Sequence, residues 1–151
     1  MPDTSEFTKT ILLGDDDEDD RAFFRDALQE VAGNAALLMA ENGVEVMEIL
    51  RRQDSLQPDL IFLDLNMPQK NGYECLAEIK KQPALQHLPV VIMSTSIQQE
   101  AVDYVYEHGA NLYIVKPSDF RKLKFFIKEI LSIFKQGDLI RPSKEAFILQ
   151  A

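Results

Sequence analysis

A doubly wound α/β fold, with a five-stranded parallel sheet and five helices, is what the sequence predicts. Three observations predict it. Short apolar runs without polar alternation recur along the chain, the pattern of strands buried on both faces. Each run is followed by a stretch whose apolar residues return at helical spacing. The connections are short, so successive strands run parallel through right-handed crossovers. Nothing repeats internally and no linker divides the 151 residues, a length that suits one domain with a sizeable core.

Lys9 to Gly14 (KTILLG) reads as the first strand, and the acids Asp15, Asp16, Asp17, Glu18, Asp19 and Asp20 follow at once. They open a helix with Phe24, Ala27, Leu28 and Val31 on one face, and Gly33 with Asn34 offers a left-handed stop. Glu18, Asp19 and Asp20 are assigned to the first turn, where the helix dipole favours acids, whereas Asp15 and Asp16 lie before the helix, on the strand's end. Ala36 to Ala40 is the second strand. Asn42 and Glu45 after it are spaced as an N-cap and its third-position acid, and Val46, Met47, Ile49 and Leu50 supply the helix's apolar face.

The third strand lies in PDLIFLDLNMPQKNG, from Pro58 to Gly72, with Asp64 where the run Leu60, Ile61, Phe62, Leu63 ends. Taken alone, Asp64 is either the first residue of a turn or a carboxylate placed for chemistry. A helix from about Tyr73 to Lys81 buries Leu76 and Ile79 and stops near Pro83. The strand Pro89 to Met93 ends in Ser94, Thr95 and Ser96. A weaker helix follows over Gln98 to His108, with Ala101, Val102 and Val105 on one face and Gly109 as its stop. So thin an apolar stripe predicts a mobile element. Asn111 to Val115 is the fifth strand, Lys116 and Pro117 end it, and the last helix starts near Ser118.

Composition narrows the function. A formal net charge of −9 and a pI near 4.7 argue against nucleic acid, whose phosphates would be repelled. Cys75 is the single cysteine, so no intrachain disulfide forms, and a reducing, cytoplasmic setting is expected. No apolar run approaches the ~18 residues of a membrane span, and the N-terminus lacks the pattern of a signal peptide.

In the predicted architecture Asp15, Asp16, Asp64, Ser94 and Lys116 all fall at carboxyl ends of strands, and so converge on the rim where open parallel sheets bind ligands. Three carboxylates gathered there repel one another by about 4 kcal/mol per pair at ~4 Å, with an effective dielectric near 20. Such a cluster calls for a cation, and oxygen donors that leave room for water and phosphate suit Mg²⁺. Asp64 then stands as a nucleophile toward a phosphoryl group, with Lys116 holding a transferring oxygen and Ser94 donating to another. Singly, a strand-end hydroxyl is commonly a turn residue and a lone lysine a solvated side chain; together, on one rim, the set is specific.

These residues resemble the receiver domains of two-component response regulators. The likeness covers roughly Thr10 to Lys135 and rests on the acidic pair Asp15 and Asp16, on DLNMP from Asp64 to Pro68, on Ser94 ending LPVVIMS, and on Lys116 with Pro117. It implies a flavodoxin-like strand order 2-1-3-4-5. By resemblance, Asp64 accepts phosphate from the phosphohistidine of a histidine kinase or hybrid kinase. Asp16 and the Asn66 carbonyl bind Mg²⁺ directly with Asp64, Asp15 reaches it through water, and Lys116 pairs with Asp64 and then with its phosphate. The Lys116–Pro117 bond is expected to be cis. The resemblance also implies a switch in which Ser94 moves toward the phosphate and Tyr113 turns inward. The residues alone suggest instead that Tyr113 is a half-buried strand aromatic with its hydroxyl in water. Thr95 stands where many receivers carry a smaller residue, and its bulk is expected to slow phosphotransfer or hydrolysis.

On the last helix Phe120, Leu123, Ile127, Ile130, Leu131 and Phe134 form an apolar stripe, amid Arg121, Lys122, Lys124, Lys128 and Lys135. Phe125 points nearly opposite the stripe at about 100° per residue. It is either a lone exposed ring or a contact for a homodimer or a kinase. Residues 1–8 read as an extension, 9–135 as the receiver-like domain, and 136–151 as a tail without an output domain. Phe147, Ile148 and Leu149 in that tail are expected to pack on the last helix or across a dimer. The effector is therefore expected to be a downstream protein, and the STS run with the tail resembles the stand-alone bacterial receivers that serve phytochromes. Two other classes compete: a phosphate-independent interaction scaffold, and a phosphatase of the haloacid dehalogenase type. The last requires a second Asp two residues after the first and a Thr soon after, where Asn66 and Pro68 stand.

Overall fold

The computed structural model describes residues 8–52, 57–135 and 142–149. Five strands, β1 (Thr10–Gly14), β2 (Ala36–Ala40), β3 (Leu60–Asp64), β4 (Val90–Ser94) and β5 (Leu112–Val115), form one parallel sheet in the order 2-1-3-4-5. The helices are α1 (Glu18–Val31), α2 (Gly43–Arg51), α3 (Gly72–Lys81), α4 (Gln99–Glu107) and α5 (Phe120–Lys135). This is the expected flavodoxin-like topology.

Alternation along each strand divides the core between the two faces. Leu12, Ile61, Leu63, Ile92 and Tyr113 point to the side covered by α2, α3 and α4. Leu13, Phe62, Met93 and Ile114 point to α1 and α5, where Phe24 meets Phe62 edge to face. Both sides are apolar, so β1, β3 and β4 are buried along their whole lengths. Edge strand β2 is only partly covered.

The helix ends follow local chemistry. Asp17 caps α1 by accepting from the Asp19 and Asp20 N–H groups, and Asn42 caps α2 by accepting from Glu45 N. Glu45 returns its carboxylate to Glu41 N rather than to the cap residue. A full capping box sits instead on α3, between Asn71 and Glu74, where only turn residues were expected. The left-handed stop expected at Gly33 and Asn34 is absent: α1 ends at Ala32, which is neither helical nor left-handed and whose N–H closes on Leu28 O. Gly109 does stop α4 with φ of +95°, under the stem of Lys80. The α4 cap, Gln98, makes no side-chain bond, and the helix buries only Val102 and Val105.

The described part of the tail, residues 142–149, reaches β5 and α4. The Tyr113 N–H donates to Phe147 O at 3.0 Å and the Leu149 N–H donates to Tyr113 O at 2.9 Å, which adds a short parallel pairing to the free edge of β5. Phe147 is fully buried between Tyr106 and Tyr113, and Leu149 packs against the α1–α5 side. The Tyr106 hydroxyl donates to Pro142 O, and Lys144 pairs with Asp103, so α4 also holds the tail. The expected N-terminal extension 1–8 and tail residues 136–141 lie largely outside the described residues.

Candidate functional site

Register brings the site together. Gly14 lies beside Leu63, so Asp15, one residue on, stands next to Asp64; its own N–H is held by Ala40 O at 3.0 Å. Ser94 ends β4 opposite Val115, and its carbonyl accepts the Lys116 N–H at 2.7 Å, which turns the lysine across the strand ends. Nζ of Lys116 lies 2.8 Å from Asp15 Oδ2 and 2.8 Å from Asp64 Oδ2. Ligand oxygens of Asp15, Asp16 and Asp64 all fall within 4.8 Å of one another. Asp15 and Asp64 are buried and Asp16 is exposed, so the cluster opens to solvent on one side.

The loop geometry fixes these carboxylates. Asp15 Oδ1 accepts from Asp17 N, and Asp64 Oδ1 accepts from the N–H of exposed Asn66, both at 3.0 Å. Burial pushes the Asp15 carboxyl above its ordinary range, against the opposing pull of Lys116 and the Asp17 N–H. For Lys116, burial works against the charged form, but hydrogen bonds to Asp15, Asp64 and Asp20 outweigh it and the net shift is upward. The lysine is therefore a fixed positive charge at neutral pH.

Oxygen donors of this kind, with an open side for water, fit a hard divalent cation such as Mg²⁺. A larger cavity of about 730 Å³ lies at the other end of the sheet, beside Leu50, Pro58, Leu85 and Phe134. Among its described lining residues the one carboxylate, Asp59, accepts from the Thr10 N–H.

Two expectations need correction. No cis peptide bond occurs among the described residues, so Lys116–Pro117 is trans. The trans form is the ordinary preference by about 0.5–1 kcal/mol, and in it the ammonium already reaches Asp15 and Asp64. Tyr113 is not half-buried with its hydroxyl in water: it is fully buried, and the hydroxyl donates to Ser96 O at 2.7 Å. It is inward before any modification, because Phe147 and the β5 edge pairing enclose it. Ser94 is buried and accepts weakly from Ser96 N, Thr95 is exposed, and Phe125 is 43% exposed.

Sequence reasoning missed Asp20. Its Oδ2 lies 2.9 Å from Lys116 Nζ, although first-turn acids are usually accounted for by the helix dipole. The signal was its place one turn beyond the cap Asp17, on the side of α1 that faces the strand ends. Arg21, also unremarked, donates to Asp15 O at 2.9 Å and pairs with Glu41.

The response regulator receiver domain model matches residues 11–128. The chain is 35% identical over 138 residues to the response regulator Rcp1 of Synechocystis sp., covering 89% of this chain and 94% of that protein. Among solved structures, the phosphorylated cyanobacterial phytochrome response regulator RcpA aligns with a TM-score of 0.79 at 34% identity, over 85% of this chain and 95% of that one. The Mn²⁺-bound form of Rcp1 aligns with a TM-score of 0.75 at 35% identity, over 83% of this chain and 94% of that one. With matched topology, an acidic rim and these relatives, the chain belongs to the response regulator receiver domains, on the side of the phytochrome-associated regulators.

Proposed function

We propose that the protein is a phosphorylated switch, in which Asp64 accepts a phosphoryl group from a histidine kinase or hybrid kinase and the change is read by a downstream protein in the cytoplasm. The observation that carries this reading is the convergence of Asp15, Asp16 and Lys116 on Asp64 at one strand-end rim. An Asp64 oxygen attacks phosphorus; the P–N bond of the phosphohistidine breaks as the P–O bond of an acyl phosphate forms. Lys116 moves from the carboxylate to a phosphoryl oxygen, and the Ser94 hydroxyl donates to another. Asp15, Asp16, Asp64 and the Asn66 carbonyl would hold Mg²⁺, which when bound supplies positive charge to the transferring oxygens.

The readout follows from what surrounds Ser94. A shift of Ser94 toward the phosphate disturbs Ser96, whose carbonyl accepts the Tyr113 hydroxyl, and so reaches β5, the tail and α4. The basic outer face of α5, with exposed Phe125, is the surface we assign to a homodimer or an acidic partner. A phosphate-independent scaffold is not favoured, since every residue of the acceptor set is present and convergent. No helix among the described residues is long and apolar enough to cross a membrane.

The test is intact-mass spectrometry after incubation with acetyl phosphate and Mg²⁺. A phosphate-sized gain is expected in the wild type and is lost with EDTA or in Asp64→Asn. No gain with acetyl phosphate, and none with a phosphorylated kinase, would overturn the reading.

A further inference from the structure

Lys116 stands at the meeting point of three carboxylates, and only two of them belong to the cation cluster. Its Nζ lies 2.8 Å from Asp15 Oδ2, 2.8 Å from Asp64 Oδ2 and 2.9 Å from Asp20 Oδ2. Asp15 and Asp64 also supply oxygens to the cluster with Asp16, whereas Asp20 does not. An ammonium and a divalent cation on the same two buried carboxylates compete for the same lone pairs, and their charges repel. The lysine must therefore have somewhere else to go when the cation is bound.

We propose that Asp20 is a positioning residue that gives the Lys116 ammonium a second seat, which keeps the lysine at the rim while a divalent cation occupies Asp15 and Asp64. Resting on the switch reading above, this adds a residue that the receiver motif does not include.

Three features of the structure support it. The Asp20 side chain is 44% exposed, against 2% for Asp15 and 6% for Asp64, so it can hold an ammonium without being committed to the buried cluster. A niche of about 40 Å³ lies beside the lysine, bounded by Asp15 and Asp20 with Phe23, Phe24, Met93 and Leu123. That is room for a water-sized displacement, with apolar walls to cover the lysine stem. The cation nearest in sequence, Arg21, is turned instead to Asp15 O and Glu41, and leaves Asp20 to Lys116. Helix-dipole stabilisation explains an acid at position 20 but not one whose oxygen is seated on this ammonium across 96 residues of sequence.

The experiment is a double-mutant cycle on metal affinity, with free Mn²⁺ counted by electron paramagnetic resonance. Wild type, Asp20→Asn, Lys116→Met and the double variant are compared. With Lys116 present, Asp20→Asn is expected to weaken Mn²⁺ binding about fivefold, because the displaced ammonium loses its seat; with Met at 116 the same change is expected to cost less than about twofold. Equal factors in the two backgrounds would mean that Asp20 acts only as a nearby charge, and would overturn the proposal. A wild type that binds no Mn²⁺ would instead overturn the cation site and the proposal with it.

The ¹⁵N signal of the Lys116 ammonium gives a readout independent of activity. On adding Mg²⁺ the signal is expected to persist in wild type and to be lost to water exchange in Asp20→Asn. Persistence in both would also overturn the proposal.

Discussion

Gly72 has no room for a side chain. A Cβ there would meet Asp64 O at 2.3 Å and Leu65 Cα at 2.8 Å, both backbone atoms that cannot swing away. Gly72→Ala is therefore expected to destabilise the fold by about 1–3 kcal/mol in urea denaturation and to slow phosphorylation by moving Asp64. A stable variant with wild-type kinetics would show that the loop yields without strain. Glu78 bridges Lys70, in the loop after β3, and Arg51 on α2. The hydrogen bond from Lys70 holds its carboxyl below the ordinary value of 4.5. Because the folded-state value is depressed, this stabilisation is complete above 4.5 and is lost as pH falls through the lower folded value. Glu78→Gln should cost about 0.5–1 kcal/mol at neutral pH, with the gap closing in acid. A gap that does not narrow at all as pH falls below 4.5 would assign the effect to packing instead of charge.

Among the elements, the tail and α4 depend on each other. Phe147 fills the space between Tyr106 on α4 and Tyr113 on β5, and its carbonyl accepts the Tyr113 N–H. Full burial of such a ring stabilises by about 1.5–3 kcal/mol. Phe147→Ala is expected to free the tail, so that the amides of Tyr113 and Leu149 exchange with deuterium about 10- to 100-fold faster, since each ~1.4 kcal/mol is tenfold. Unchanged exchange would show that the backbone pairing alone holds the edge. The weak N-cap and thin stripe of α4 leave it dependent on these neighbours.

At the scale of the whole molecule, charge is segregated. A chain with a net charge of −9 gathers Asp15, Asp16, Asp20 and Asp64 at one rim, while α5 exposes Arg121, Lys122, Lys128 and Lys135 around Phe125. That basic face, with a ring 43% exposed, suits an acidic partner surface, including the rim of a second copy. Under the homodimer proposed for this face, Phe125→Glu is expected to leave stability in urea within about 0.5 kcal/mol of wild type and to lower the sedimentation coefficient to that of a monomer. Unchanged sedimentation would make Phe125 a lone exposed ring.

Sequence by itself determined the parallel sheet, its helices and the rim on which Asp15, Asp16, Asp64, Ser94 and Lys116 meet. Those features follow from apolar periodicity and from strand ends, which are local. The stripe on α5 was legible too, apart from Phe126, which is buried beside it. What needed the tertiary structure were contacts between residues far apart in the chain. Asp20 meets Lys116 across 96 residues, and a first-turn acid gives no sign of such a partner. Tyr113 is buried because the tail closes the edge of β5, and no periodicity within β5 encodes a strand from elsewhere. The trans bond before Pro117 and the absence of a left-handed stop at Gly33 were likewise decided by the fold, because proline and glycine permit several conformations and their surroundings select one.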